Sequence, residues 1–107
     1  MKTFELTRAD DNTQAVSAAA KATTAQQGAE IRFIAGGTTL IDLMKLNVET
    51  PQKLIDVNHL PLGKIDTQPD GGLTVGAMVR NSDLAYHPVV RKNYAVLSEA
   101  ILSGASA

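Results

Sequence analysis

No cysteine and no tryptophan occur among the 107 residues of this sequence. The first absence excludes a disulfide framework, a thiolate metal site and an iron–sulfur cluster held by the chain itself, and it leaves the redox compartment open. Aromatic residues make up only 4%, so burial falls mainly to Ala, Leu, Ile and Val, which suits close packing of elements with small side chains. No stretch approaches the ~18 apolar residues of a membrane span, and Met1-Lys2-Thr3-Phe4-Glu5 runs into polar sequence without the apolar segment of a signal peptide. A soluble chain with no export signal of its own is expected. Charge of one sign is also lacking: 10 basic and 11 acidic residues leave a net charge of -1, with no basic block, which argues against nucleic acid or an anionic membrane as partner. There is no internal repeat, low-complexity tract or flexible linker, so one small domain, or part of one, is expected.

What is present alternates between short strands and short helices. Phe4 and Leu6 alternate with polar neighbours as in a strand, and Asp10-Asp11-Asn12 is a helix-capping cluster. The helix it opens is expected to run to about Gln26, with Ala15, Ala18, Ala19 and Ala22 as a narrow small-residue stripe against a sheet and Gly28 as a stop. Ile31 to Ile34 reads as a strand, Leu40, Leu43, Met44 and Leu46 recur at helical spacing, and Lys53-Leu54-Ile55-Asp56-Val57 reads as another strand. That order fits a small parallel crossover. Pro69-Asp70-Gly71-Gly72 signals a hairpin between a strand starting at Ile65 and the alternating Leu73, Val75 and Ala77. Asn81 or Ser82 is suited to cap a helical turn, Pro88 to start another, and Leu97, Ala100, Ile101 and Gly104 to mark the inner face of a last helix. The fold class is therefore mixed α/β of the α+β kind.

The chemistry concentrates in Ile34-Ala35-Gly36-Gly37-Thr38-Thr39-Leu40. Glycine has no Cβ, so a glycine pair between a strand and a helical segment lets main-chain N–H groups come close to an anionic ligand. Thr38 is expected to open the helical turn, whose own unpaired N–H groups would add donors. The bland alternative is an ordinary tight turn, and on the residues alone both readings stay open. Asp42 and Lys45, three apart on one helical face, need no more than a weak surface ion pair to explain them. His59 and His87 sit beside prolines in expected solvated loops without companions at ligand spacing, so no metal site is assigned. Arg80-Asn81 is better explained by capping than by cofactor contact, and Asp56 by turn formation than by a ribose contact, since the glycines do not follow the dinucleotide spacing. No nucleophile–base constellation or carboxylate pair stands out, so no catalytic residue is assigned and any chemistry must come from a bound cofactor.

Three ordered motifs, Phe33-Ile34-Ala35-Gly36-Gly37-Thr38-Thr39-Leu40-Ile41-Asp42-Leu43-Met44-Lys45, Leu54-Ile55-Asp56-Val57 and Leu73-Thr74-Val75-Gly76-Ala77, resemble the N-terminal part of the FAD-binding subunit of molybdenum hydroxylases, the xanthine dehydrogenase and aldehyde oxidoreductase group. The likeness is greatest to the flavin subunit of bacterial aldehyde oxidoreductases, which continues the glycine motif with the same Asp-Leu-Met-Lys run. The resemblance implies a PCMH-type FAD fold with residues 1–107 as a partial domain shortened at its C-terminal side. It also implies FAD as cofactor, with molybdenum cofactor and 2Fe–2S clusters on partner subunits, and transfer of electrons through the flavin to an external acceptor. Ile34, Ala35, Gly36, Gly37, Thr38, Thr39 and Leu40 match the diphosphate segment, and Val75 and Ala77 a segment near the flavin ring. The location implied is cytoplasmic, or periplasmic if a partner's signal exports the complex.

The sequence departs from the family pattern in three places. A second nucleotide-contacting segment with an Arg-Asn pair and a Gly-Asn signature does not follow Ser103-Gly104-Ala105-Ser106-Ala107, the cysteine cluster of a 4Fe–4S centre is missing, and Thr39 stands where the family often has Asp. These departures raise the alternative of a non-catalytic remnant or interaction module that retains no flavin, and imply that the chain is not active alone. A third reading, the wider flavin superfamily of UDP-N-acetylenolpyruvoylglucosamine reductase, is disfavoured by the Asp-Leu-Met-Lys run.

Overall fold

The computed structural model describes residues 1–26 and 28–104, in two compact units, Met1–Pro61 and Leu62–Ala107. The first contains β1 (Glu5–Arg8), α1 (Asn12–Ala19), β2 (Ile31–Ile34), α2 (Leu40–Lys45) and β3 (Lys53–Asp56), and the second contains β4 (Ile65–Thr67), β5 (Leu73–Val75), α3 (Asn81–Ala85), α4 (Pro88–Asn93) and α5 (Ala95–Gly104). No described helix is long and apolar enough to cross a membrane.

In the first unit the strands form a parallel sheet in the order β1-β3-β2. The last strand in sequence is thus the central one. Leu54 and Ile55 on β3 are both fully buried, the consecutive apolar pair required of a parallel strand covered on both faces. The register places Thr7 and Phe33 beside Ile55, and Leu6 and Arg32 beside Leu54. The edge strands are less covered, Leu6 being 60% and Phe33 50% exposed.

Helix α1 begins as expected. The Asp11 carboxylate accepts from the Gln14 N–H at 2.7 Å, and the Gln14 side chain accepts from the Asp10 N–H at 3.0 Å, a reciprocal pair of the capping-box kind. Ala15 is buried and Ala18 and Ala19 half-buried, as the small-residue stripe requires. The helix stops at Ala19, however, well short of Gln26. Beyond it, side chains compete for the backbone. The Thr24 hydroxyl accepts from the Gln26 N–H, Thr23 donates to Glu30 at 2.8 Å, and the Arg32 guanidinium donates to the carbonyls of Ala25 and Gln26. Arg32 also meets the buried Glu49 at 3.4 Å, and Glu49 accepts from the Gly28 N–H at 3.3 Å. An ion pair therefore holds the strand-entry loop that the periodicity had assigned to a helix.

Met44 supplies the buried side chain of α2. After Leu46 the chain leaves the helix through Asn47 at φ 56°, and the Leu43 carbonyl accepts from both Val48 and Glu49, a left-handed helix end of the kind Asn tolerates. Asp42 and Lys45 form no ion pair among the described residues.

In the second unit β4 and β5 pair antiparallel. Their turn has Gly71 at φ 87°, and the Gln68 N–H donates to the Gly72 carbonyl at 2.8 Å. The strand ends at Val75, so Ala77 lies beyond the ladder. Helix α3 has Arg80 at its N-cap with no side-chain cap bond, so Asn81 is its first residue and not its cap. Pro88 opens α4 as expected, with the half-buried His87 capping it through Nδ1, which accepts from the Val89 N–H at 3.3 Å. The inner face of α5 differs from the expected one. Ser98 is buried and donates to the Ala85 carbonyl at 2.6 Å, whereas Leu97, Ala100 and Gly104 are exposed. A small hydroxyl satisfies a carbonyl at the end of α3, which no apolar side chain could do.

Candidate functional site

Strand β2 delivers the chain into the glycine segment while the Ile34 carbonyl still accepts from the Val57 N–H at 3.1 Å, so the loop leaves the sheet beside the end of β3. Gly37 has φ 74°. A Cβ there would lie 3.0 Å from Ile41 Cγ1 and 3.3 Å from Ile34 Cδ1, so both conformation and space call for glycine. Gly36 differs: its φ is not positive, and nothing lies within 4 Å of where its Cβ would be.

Gly37, not Thr38, starts the helical bonding, its carbonyl accepting from the Ile41 N–H at 2.9 Å. Thr39 occupies the N-cap of α2 in helical conformation without a side-chain cap bond, and Thr38 lies in the preceding turn, its hydroxyl likewise unbonded among the described residues. The expectation that Thr38 opens the helical turn is thereby corrected by one residue. The Gly37 carbonyl already accepts the first helical bond, so Thr38 lies within that turn and not at its cap. The N–H groups of Gly36, Gly37, Thr38, Thr39 and Leu40 find no acceptor among the described residues. Ala35, Gly36, Thr38 and Thr39 are exposed. A run of unpartnered donors on an exposed loop is suited to an anion with several oxygens.

Two side chains at the end of β3 and just beyond it brace this loop. Asp56, at the end of β3, accepts from the Asn58 N–H at 2.9 Å and from the Asn58 side-chain amide at 2.7 Å, and the same amide donates to the Ala35 carbonyl at 2.8 Å. Asp56 thus makes the turn expected of it. The Asn58 backbone bond, then its side-chain bond, hold the Asp56 carboxyl below its ordinary value of 3.8; desolvation opposes them, and the charges of His59 and Arg8 add to the lowering. Asn58 carried no motif signal, and only its two-residue spacing from Asp56 marked an Asx turn.

Leu40 also lines a shallow cleft of about 310 Å³ with Ala19, Ala22, Ile31, Arg32 and Phe33. Val75 and Ala77 belong to the second unit and are exposed. Beside them, the Gly76 N–H donates to the Lys64 carbonyl at 2.8 Å and the Met78 N–H to the Leu62 carbonyl at 2.9 Å. A Cβ on Gly76 would collide with the Leu62 carbonyl, so this glycine serves close backbone approach. No group of three or more His, Cys, Asp or Glu suited to a metal ion occurs among the described residues.

The family model described as the FAD binding domain in molybdopterin dehydrogenase matches residues 2–107. The chain is 53% identical over 106 residues to the aldehyde oxidoreductase FAD-binding subunit PaoB of Escherichia coli (strain K12), covering 99% of this chain and 31% of that protein. It is 33% identical over 75 residues to the carbon monoxide dehydrogenase medium chain of Hydrogenophaga pseudoflava, covering 70% of this chain and 26% of that one. Among solved structures, quinoline 2-oxidoreductase from Pseudomonas putida 86 superposes with a TM-score of 0.84 at 26% identity, over 100% of this chain and 36% of that chain. The chain thus spans about a third or less of the length of each.

Proposed function

Because the chain belongs to the family of FAD binding domains in molybdopterin dehydrogenases, we propose that it binds FAD and forms the flavin-side electron-transfer module of a molybdenum hydroxylase acting on aldehydes. The observation that carries this reading is the run of N–H groups from Gly36 to Leu40 that find no acceptor among the described residues, together with the open space at Gly36. Both fit a diphosphate, whose oxygens need several donors and close backbone approach.

In this reading Ile34 ends the strand that aims the loop, Ala35 to Thr39 hold the diphosphate with main-chain N–H groups, and Leu40 closes the segment. Val75 and Ala77 line the approach to the flavin ring. FAD supplies the capacity to take up and release electrons, and the chain's own residues bind and orient it. No side chain of the chain is assigned a catalytic role. Residues 1–107 form the N-terminal part of a PCMH-type domain, and the partners are a molybdenum-cofactor subunit and a 2Fe–2S subunit of a heteromeric complex in the cytoplasm. The relationship to PaoB, an aldehyde oxidoreductase subunit by name, supports the substrate class.

FAD added to the purified chain should give a perturbed flavin absorption spectrum, quenched fluorescence and a raised melting temperature, since a ligand that binds only the folded state stabilises it. An unperturbed flavin and an unmoved melting temperature at high FAD would reject the reading and favour an interaction module that keeps the fold without the cofactor.

A further inference from the structure

The Asn58 side-chain amide sits between two acceptors, the Ala35 carbonyl at 2.8 Å and Asp56 Oδ1 at 2.7 Å. Its two N–H bonds match them one each, which fixes the nitrogen, and not the amide oxygen, as the atom facing both. Asp56 is placed in turn by the Asn58 N–H at 2.9 Å.

The Ala35 carbonyl and the Gly36 N–H belong to one peptide plane, and no cis peptide bond occurs among the described residues. In a trans peptide these two groups point in opposite directions. Holding the carbonyl toward Asn58 therefore turns the Gly36 N–H the other way. Rotating that peptide would present an oxygen where an anion needs a donor, and glycine at position 36 leaves such a rotation sterically easy.

We propose that Asn58, braced by Asp56, is a positioning residue that fixes the Ala35–Gly36 peptide in the orientation that offers the Gly36 N–H to the flavin diphosphate. The consequence for affinity rests on the reading of this loop as the diphosphate segment, whereas the orientation of the peptide does not. Asn58 is reached from the opposite end of the unit's crossover, 23 residues along the chain from Ala35, so β3 sets the binding state of a loop that follows β2.

The test uses the full chain and its Asn58→Leu and Asn58→Asp variants, with folding of each checked by circular dichroism. FAD and inorganic pyrophosphate are the probes, and the Gly36 amide resonance is recorded without either. Asn58→Leu removes the donor, and the nearly isosteric Asn58→Asp replaces it with a group that repels both Asp56 and the carbonyl. Both variants should shift the Gly36 resonance and weaken FAD and pyrophosphate at least tenfold while remaining folded. An unmoved Gly36 resonance in both Asn58 variants overturns the proposal whatever their affinity, and so does an affinity within twofold of a wild type that binds. If wild type takes up neither probe while the resonance still moves, the diphosphate reading fails and the positioning of the peptide by Asn58 is upheld.

Discussion

Gly36 and Gly37 are adjacent and chemically identical, yet the structure gives them different reasons to exist. Gly37 is required by its positive φ and by the Ile41 and Ile34 side chains. Gly37→Ala should therefore cost about 1–2 kcal/mol of stability through the left-handed conformation alone, read from the urea midpoint. Gly36 has neither constraint, so Gly36→Val should change stability by no more than about 0.5 kcal/mol while lowering FAD affinity, by blocking the approach of the diphosphate. Equal losses of stability in the two variants would show that the pair is only a turn. Asp56 yields a prediction in pH. Its folded carboxyl lies below the ordinary value, so its stabilisation is fully present above the unfolded value and is lost as the pH falls through the folded one. Denaturation midpoints taken from about pH 5 down to pH 2 should fall less steeply in Asp56→Asn than in wild type. The glycine pair was legible as a special turn from sequence. The division of labour within it was not, because it depends on the side chains of Ile34 and Ile41 and on a dihedral angle.

Elements were read correctly where local signals agreed with tertiary contacts. The Asp11 cap, the Pro88 helix start and the hairpin around Gly71 all depend on neighbouring residues, and all were visible in the sequence. The end of α1 and the inner face of α5 were not, because distant groups decide them. Arg32 and Glu49 reach back to the loop after α1, and Ala85 supplies the carbonyl that draws Ser98 inward. Glu49→Ala leaves the half-buried Arg32 without its counter-charge and should cost about 3 kcal/mol, read by chemical denaturation. Ser98→Ala strands the Ala85 carbonyl and should cost about 1–2 kcal/mol. At Gly76 an added methyl would meet backbone and not a movable side chain. Gly76→Ala should thus destabilise by about 3 kcal/mol, and a loss below half that value would mean that the Leu62 segment yields freely.

At the scale of the whole molecule, the mixed α/β class and the family were both legible from three motifs, because their order and spacing were preserved over nearly the entire length. The sheet order β1-β3-β2 has a consequence for how the first unit comes into being. Its two outer strands are made first and have nothing to pair with until the central one emerges, 45 residues beyond the end of β1. As synthesis proceeds, neither Leu6 nor Phe33 has a sheet to join, and closing such long parallel loops is entropically slow. A nascent chain ending before Lys53 should remain protease-sensitive on the ribosome, and one extended past Pro61 should acquire resistance in a single step. The strand that completes this sheet also carries Asp56 and leads directly to Asn58, so the unit gains its fold and the orientation of its glycine loop in the same event.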